Sequence, residues 1–255
     1  MHSFLARAHG LRGGPTFPVD GAFFDGTNDY MTRGATLTGA ADGKAGTLSF
    51  WFIQATTGAE RRILHQPSGA GGSEPGVLFT AGNLITIQLQ DAASSGAYEF
   101  SLSSNTALTD TASWHHVIAS WDRNTAFAKI YVDGVDDTGV VVTTNANNDY
   151  TVTDWAIGAR LDASNKLNGS LAEFWLDLGA SLDITVDANR MLFRSPAGKP
   201  VNLGATGSGP TGSSPIVFFH LDKGESAANF ATNRGTGGNF TITGALTTSA
   251  TSPSD

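Results

Sequence analysis

Apolar residues that recur at every second position constrain the fold of this chain more than any other feature. Ile85, Ile87 and Leu89 alternate with polar neighbours. Successive side chains of a β-strand point to opposite faces, whereas those of a helix return to one face after about 3.6 residues. This alternation therefore predicts a strand with one face in a core and the other in water.

The same reasoning extends to most of the chain. Segments 47–53 and 114–121 are apolar on both faces and predict central strands of stacked sheets. Further strands are predicted at 22–24, 29–32, 77–80, 98–102, 126–132, 152–159, 169–178, 216–221 and 240–243. Asp133-Gly134 and Asn168-Gly169 are typical of tight turns. Together these signals predict an all-β, antiparallel two-sheet sandwich.

One short helix is predicted within this β architecture. It spans residues 186–193, with Thr185 as N-cap and Asp187 in the first turn. Residues 204–215 are mostly Gly, Ser, Thr and Pro, and predict a loop.

Composition excludes several classes of protein. The chain has no cysteine, which rules out disulfides, thiolate zinc sites and a cysteine nucleophile. Its net charge of −8 and the lack of a basic block predict no nucleic-acid partner. No apolar run approaches the roughly 18–20 residues of a membrane-spanning helix, so we expect no membrane partner. The first residues lack the pattern of a secretory signal.

Four sequence blocks follow one another in a recognisable order. They read FDGTNDY (24–30), GTLSFWF (46–52), WHHV with YVDGV (114–117 and 131–135), and IGA with LNGSLAEF (157–159 and 167–174). Together they resemble the laminin-G-like branch of the concanavalin A-like lectin/glucanase domains over residues 21–178. The resemblance implies a jelly-roll sandwich, in which WHHV opens a core strand and YVDG closes the next one in a hairpin.

The residues beyond 178 resemble an extension that accompanies such domains in tailed-bacteriophage structural proteins. The matching blocks are GKPVNLG (198–204), PTG (210–212) and NRGTGGNFTITG (233–244). This implies an extended arm at residues 1–20, one jelly-roll domain at 21–244 and a tail at 245–255. Within the domain, the core blocks span 21–178 and the C-terminal extension spans 179–244.

Two functions remain open at this stage. The phage resemblance implies a non-enzymatic virion protein, such as a capsid decoration, tail or fibre component. Such a protein is located in the virion, contacts other virion proteins and forms a homo-oligomer, because virions repeat their subunits. The alternative is a carbohydrate-binding adhesion module that recognises a surface glycan.

No catalytic residues are predicted. Glucanases of the resembled superfamily carry Glu-x-Asp-x-x-Glu on one strand, which places two carboxylates for retaining hydrolysis. Here Glu173 and Asp177 are four residues apart and the middle Asp is missing. His115 and His116 are neighbours on a strand, so they point to opposite faces and cannot bind one metal ion together.

Calcium is the one cofactor that the resemblance leaves open, since relatives hold Ca²⁺ through loop carboxylates and carbonyls. Carboxylate ligands are available at Asp25, Asp29, Asp154 and Asp177, without a diagnostic spacing. The Asp of Asp25-Gly26 is also an ordinary turn former.

A glycan site requires an exposed aromatic ring beside amide or carboxylate groups. Asn148, Asp149, Tyr150 and Trp155 predict such a rim, with a solvated hairpin loop as the alternative. Trp175 lies next to Leu176 inside a predicted strand and is predicted to pack in the interior.

Overall fold

Antiparallel strands dominate the described part of the chain. The computed structural model describes residues 17–67, 74–91 and 99–255, so most of the predicted arm and the start of the strand at 98–102 lie outside it. The described strands form two large sheets and one small pair. The predicted all-β antiparallel sandwich is confirmed, and helices contribute little.

The bounds of the elements are as follows. The strands are β1 (Val19–Asp20), β2 (Ala22–Asp25), β3 (Tyr30–Arg33), β4 (Ala45–Gln54), β5 (Arg61–His65), β6 (Gly76–Phe79), β7 (Ile85–Leu89), β8 (Phe100–Ser104), β9 (His115–Asp122), β10 (Phe127–Val132), β11 (Val135–Asp136), β12 (Thr138–Thr143), β13 (Trp155–Ile157), β14 (Asn168–Leu178), β15 (Val217–Phe219), β16 (Leu221–Asp222), β17 (Thr241–Thr243) and β18 (Thr247–Thr248). The helices are α1 (Asp187–Arg190) and a 3₁₀ helix (Ala227–Ala231).

Two sheets of eight strands each face one another across the main core. The first sheet has the order β11-β10-β9-β4-β14-β2-β18, with β15 also paired to β14. The second sheet has the order β12-β8-β7-β6-β5-β13-β3-β17. Strand β1 pairs with β16 outside both sheets.

The central strands are buried on both faces, as the sequence predicts. In β9, Val117 and Trp121 enter the core between the sheets. Ile118, between them in sequence, joins a separate apolar cluster on the other side. Because alternate residues of a strand point in opposite directions, an apolar residue at every position indicates cover on both faces.

The second cluster gives the first sheet an outer layer, defined here as residues 180–207. Ile184, Phe193 and Leu203 of this layer pack on side chains of the first sheet. Trp175 of β14 is fully buried there, and its Nε1 donates to the carbonyl oxygen of Gly207 over 2.8 Å. The predicted packing of Trp175 is therefore confirmed, and it fixes the otherwise irregular layer to the sheet.

Two local predictions are wrong. The helix predicted at 186–193 is a single turn, and Thr185 is not its N-cap, because the Thr185 hydroxyl donates to Asp183. Asn168-Gly169 is not a turn: both residues open β14. Gly169 has φ +156°, and a Cβ there would lie 2.3 Å from the carbonyl oxygen of Ile53, so close strand packing explains this glycine.

The other predicted turn is present. Asp133 and Gly134 have φ values of +52° and +85° and connect β10 to β11. Glycine and aspartate tolerate this left-handed backbone. The turn therefore places the Asp133 carboxylate beside the first residues of β9, next to the outer face of the first sheet.

The described chain contains no helix long and apolar enough to cross a membrane.

Candidate functional site

The residues predicted to form a glycan rim lie in the interior. Tyr150 is 0% exposed, and its hydroxyl accepts hydrogen bonds from Trp121 Nε1 at 3.0 Å and Asn148 Nδ2 at 2.8 Å. Asn148 is also buried, and its Oδ1 accepts from Arg123 Nη1 at 2.6 Å. These side chains form a buried polar network that ties the chain at 148–150 to β9.

Trp155 and Asp149 complete this correction. Trp155 is 1% exposed and its Nε1 donates to the carbonyl oxygen of Val152. Asp149 is half-buried, and burial together with the charge of Asp42 raises the pKa of its carboxyl group. Because the faces of Tyr150 and Trp155 are covered by the core, neither ring can stack on a sugar in this structure.

The first two calcium candidates close a turn of their own. Asp25 Oδ1 accepts from the backbone N–H groups of Thr27 and Asn28 at 2.7 and 3.0 Å. Although desolvation opposes the change, these N–H groups lower the pKa of Asp25. Asp29 is buried, and its Oδ1 accepts from the N–H of Ala245. Both carboxylates are thus engaged by backbone donors.

The four calcium candidates do not come together. Asp25 pairs with Asn168 at one end of β14, and Asp177 lies nine residues further along that strand, about 30 Å away. Asp154 precedes β13 in the opposite sheet. Across residues 17–67, 74–91 and 99–255, no group of three or more His, Cys, Asp or Glu side chains is placed to hold a metal ion. These four residues therefore do not fit one calcium ion.

The paired histidines point to opposite faces, as predicted. His115 Nδ1 lies 2.7 Å from Asp133 Oδ2, whereas His116 Nε2 lies 2.9 Å from the Ser49 hydroxyl. The Asp133 hydrogen bond raises the pKa of His115, and burial lowers the pKa of His116 to about 3. His115 is therefore the one of the two that can be charged near neutral pH.

Glu173 is unsuited to catalysis on an external substrate. It sits at a bulge in β14 with φ +49°, and it is 2% exposed. Its Oε1 is paired with Nδ1 of the buried His220. A glycosidase needs two carboxyl groups that flank the scissile bond, and Glu173 is closed off from any such ligand.

An open cleft lies where the outer layer meets the end of the β9–β10 hairpin. Its volume is about 420 Å³. The lining residues carry carboxylates, hydroxyls and one aromatic ring: Asp122, Thr125, Phe127, Ser181, Asp183 and Thr185. We call it the Phe127 cleft.

The geometry of the Phe127 cleft combines an apolar floor with a polar rim. Phe127 is half-buried against the second cluster, whereas Ser181, Asp183 and Thr185 are exposed. Asp183 Oδ1 accepts from the N–H of Thr185 at 3.0 Å, which fixes the carboxylate. Within the described residues, Asp183 Oδ2 accepts no hydrogen bond from the protein. The rim therefore offers an ordered acceptor to a ligand hydroxyl.

Nothing in the sequence reasoning pointed to this cleft. Asp122 and Phe127 flank a hairpin turn, and Asp183 comes some 60 residues later. Only the docking of the outer layer on the first sheet brings them together. The one available signal was Asp183-x-Thr185, a pair that commonly makes a local side-chain to backbone hydrogen bond.

The two-sheet sandwich with its antiparallel order is that of a lectin-like jelly roll. The chain belongs to the laminin G family described as the concanavalin A-like lectin/glucanases superfamily, whose model matches residues 25–177. No curated protein matches the chain.

Solved structures are similar in fold. A Bacteroides ovatus protein, whose description proposes carbohydrate binding, is 14% identical with a TM-score of 0.59; the match covers 92% of this chain and 60% of that one. A heptameric SAP-like pentraxin from Limulus polyphemus is 15% identical, with a TM-score of 0.49 and coverages of 68% and 82%. The CBM40 of a Ruminococcus gnavus sialidase, bound to α2,3-sialyllactose, is 14% identical, with a TM-score of 0.46 and coverages of 65% and 93%. This chain thus spans 60% of the length of the Bacteroides ovatus protein.

Proposed function

We propose that the protein is a non-catalytic carbohydrate-binding domain and that the sugar occupies the Phe127 cleft. The observation that carries the proposal is the half-buried ring of Phe127, bordered by the exposed Asp183 and Thr185. A sugar has an apolar face of C–H groups and an equatorial ring of hydroxyls. An aromatic surface beside carboxylate and hydroxyl acceptors complements both.

Membership of a lectin-like family supports the proposal, and so does the description of the Bacteroides ovatus protein, which shares the fold over most of this chain. The burial of Glu173 supports the non-catalytic part, because the carboxylate nearest to a glucanase pattern is held by His220.

The experiment is a glycan array followed by calorimetry with the neutral oligosaccharide that binds best. Phe127→Ala should weaken binding by at least about tenfold, equivalent to about 1.4 kcal/mol. Asp183→Asn should weaken it less, because the amide keeps the oxygen that Thr185 binds and presents an NH₂ group that can donate to a sugar hydroxyl. Phe23→Ala is the matched control, since Phe23 is a half-buried aromatic residue of β2 in the same sheet but outside the cleft.

Two results would overturn the proposal. One is an array on which the wild-type protein binds no saccharide. The other is a Phe127→Ala variant that binds as tightly as the Phe23→Ala control.

A further inference from the structure

A second cavity lies at the opposite end of the β9–β10 hairpin. The outer layer leaves about 180 Å³ there, against the first sheet. Its walls include His116, Gly134, Arg190 and Arg194. The volume equals that of about six water molecules at liquid density, which is enough for a small polar group. His116 and Asp122 are six residues apart on β9, so this cavity is about 20 Å from the Phe127 cleft.

Arg194 is the unusual wall residue. In the part of the chain that the structure describes, its guanidinium forms no ion pair, and its buried Nε has no hydrogen-bond partner. Arg190, by contrast, is ion-paired with Asp187 and donates to the carbonyl oxygen of Ile184. A buried N–H without an acceptor costs free energy. Arg194 therefore presents an unused charged donor to the cavity.

His116 contributes a second unused group. It is 1% exposed and lines the cavity, and its Nδ1 has no hydrogen-bond partner. Its low pKa, caused by burial and then by the charge of Arg194, keeps the ring neutral. When the Ser49 hydroxyl donates to Nε2, the ring proton lies on Nδ1, which can then donate to a ligand.

Neither Asp133 nor Asp187 forms an ion pair with Arg194. Asp133 has one oxygen on His115 Nδ1 at 2.7 Å and the other on the N–H of His116 at 2.9 Å. Asp187 is held by Arg190. Both carboxylates are thus engaged elsewhere, and the donors of Arg194 stay available to a ligand.

Two glycines make room for the Arg194 guanidinium. A Cβ on Gly134 would lie 3.2 Å from Nη1, and a Cβ on Gly198 would lie 2.9 Å from Nη2. Side chains at these two positions would contact the two Nη atoms of Arg194 too closely. The glycines therefore leave the space that the guanidinium occupies beside the cavity.

We propose that this cavity binds an oxyanion, a carboxylate or a sulfate group, with Arg194 as the charged donor and His116 Nδ1 as a second donor. The planar guanidinium fork matches both groups and gives short, charge-assisted hydrogen bonds. The oxyanion can belong to an acidic saccharide or be a free ion. This site is separate from the Phe127 cleft and does not depend on the function proposed for it.

The experiment follows the Nε–Hε cross-peak of Arg194 in ¹H–¹⁵N spectra at constant ionic strength. The full chain is titrated separately with sodium sulfate, sodium acetate and sodium glucuronate, and with glucose as the neutral counterpart of glucuronate. The wild-type titration reads Arg194 itself, so it does not depend on whether a variant folds. Calorimetry then compares Arg194→Gln with Lys129→Gln, a control that removes one positive charge from β10 outside the cavity.

We expect a saturable shift of the Arg194 cross-peak with at least one anion and none with glucose. Arg194→Gln should weaken binding by at least about tenfold, and Lys129→Gln by less than about twofold. Equal binding of all three anions identifies a free-ion site, whereas binding of glucuronate alone identifies an acidic saccharide. A cross-peak that no anion shifts saturably, or binding that survives in Arg194→Gln, overturns the proposal.

Discussion

The guanidinium carbon of Arg190 lies 4.2 Å from the centre of the Tyr131 ring. Tyr131 belongs to the outer face of β10, and Arg190 is the last residue of α1. A cation over an aromatic face is attracted by the ring quadrupole. This pair therefore joins the outer layer to the first sheet beside the cavity that Arg190 lines.

Replacing both members of this pair should reveal their coupling. Tyr131→Leu and Arg190→Met each keep apolar volume, and in a double-mutant cycle we expect a coupling energy of about 0.5–1 kcal/mol. Urea unfolding of the four proteins measures it. Strictly additive changes in the free energy of unfolding would show that the contact contributes no interaction of its own.

Asp133→Asn should destabilise the protein in a pH-dependent manner. The hydrogen bond to Asp133 raises the pKa of His115, so the pair stabilises the fold below about pH 6.5 and loses this effect as pH rises through the raised pKa. The pKa of Asp133 itself is lowered, although desolvation opposes this, so protonation of Asp133 removes the effect only in strong acid.

We expect a loss of about 1 kcal/mol at pH 5.5, allowing for solvent screening, and a smaller loss at pH 8.5. Asparagine tolerates the positive φ of this turn and keeps an oxygen for the N–H of His116. Unfolding curves at the two pH values provide the measurement. A loss that is equal at both would exclude the charge as its cause.

His116→Gln should flatten the acid side of the stability profile. The folded pKa of His116 is about 3, against about 6.5 when unfolded, so the unfolded chain binds one more proton between these values. Stability therefore falls as pH drops from about 6.5, by up to about 1.4 kcal/mol per unit from this group. Denaturant unfolding between pH 4.5 and 7 should show a shallower slope for the variant. Identical slopes would mean that the ring takes up a proton in the folded state.

Tyr150→Phe should reduce stability without changing glycan binding. The lost hydroxyl leaves Trp121 Nε1 and Asn148 Nδ2 buried without that acceptor, at a cost of about 2–3 kcal/mol. Thermal unfolding and calorimetry on the array-selected oligosaccharide test the two parts separately. Unchanged stability with lost binding would restore Tyr150 to the glycan site.

The local sequence pattern was sufficient to predict the β-sandwich but not the Phe127 cleft. Segments that are apolar on both faces predicted the central strands, and Asp133-Gly134 predicted its hairpin. β5 was missed because Arg61-Arg62 interrupts the apolar pattern; Arg62 is nevertheless buried, with Glu60 and the carbonyl oxygen of Glu74 as partners. Its place in the core depends on tertiary partners that no local pattern records.

The predicted rim at 148–150 failed for a related reason. A polar loop that contains Asn and Tyr has the same sequence pattern whether these side chains face water or form a buried network. In the structure Arg123, the residue after β9, donates to Asn148, and this contact between distant parts of the chain holds the segment in the interior. Conversely, the Phe127 cleft requires a segment far along the chain, so neighbouring residues could not indicate it.

Several expectations from the sequence stay predictions: a structural role in a bacteriophage virion, virion partners and localisation, a homo-oligomer and bound calcium. Native mass spectrometry with and without EDTA addresses the last two. The prediction is a defined multiple of the 26.5 kDa chain. Metal-free monomers in both solutions would contradict the predicted oligomer and the predicted calcium binding.

The last strands of the chain have a consequence for the order of folding. β17 completes the second sheet beside β3, and β18 completes the first sheet beside β2, yet β2 and β3 are among the earliest strands to be synthesised. On the ribosome, one backbone edge of β2 and one of β3 therefore stay unpaired until residues 241–248 have been synthesised. Their pairing has a high contact order, which favours slow final closure. Nascent chains that stop before residue 241 should therefore be the ones most exposed to edge-to-edge aggregation.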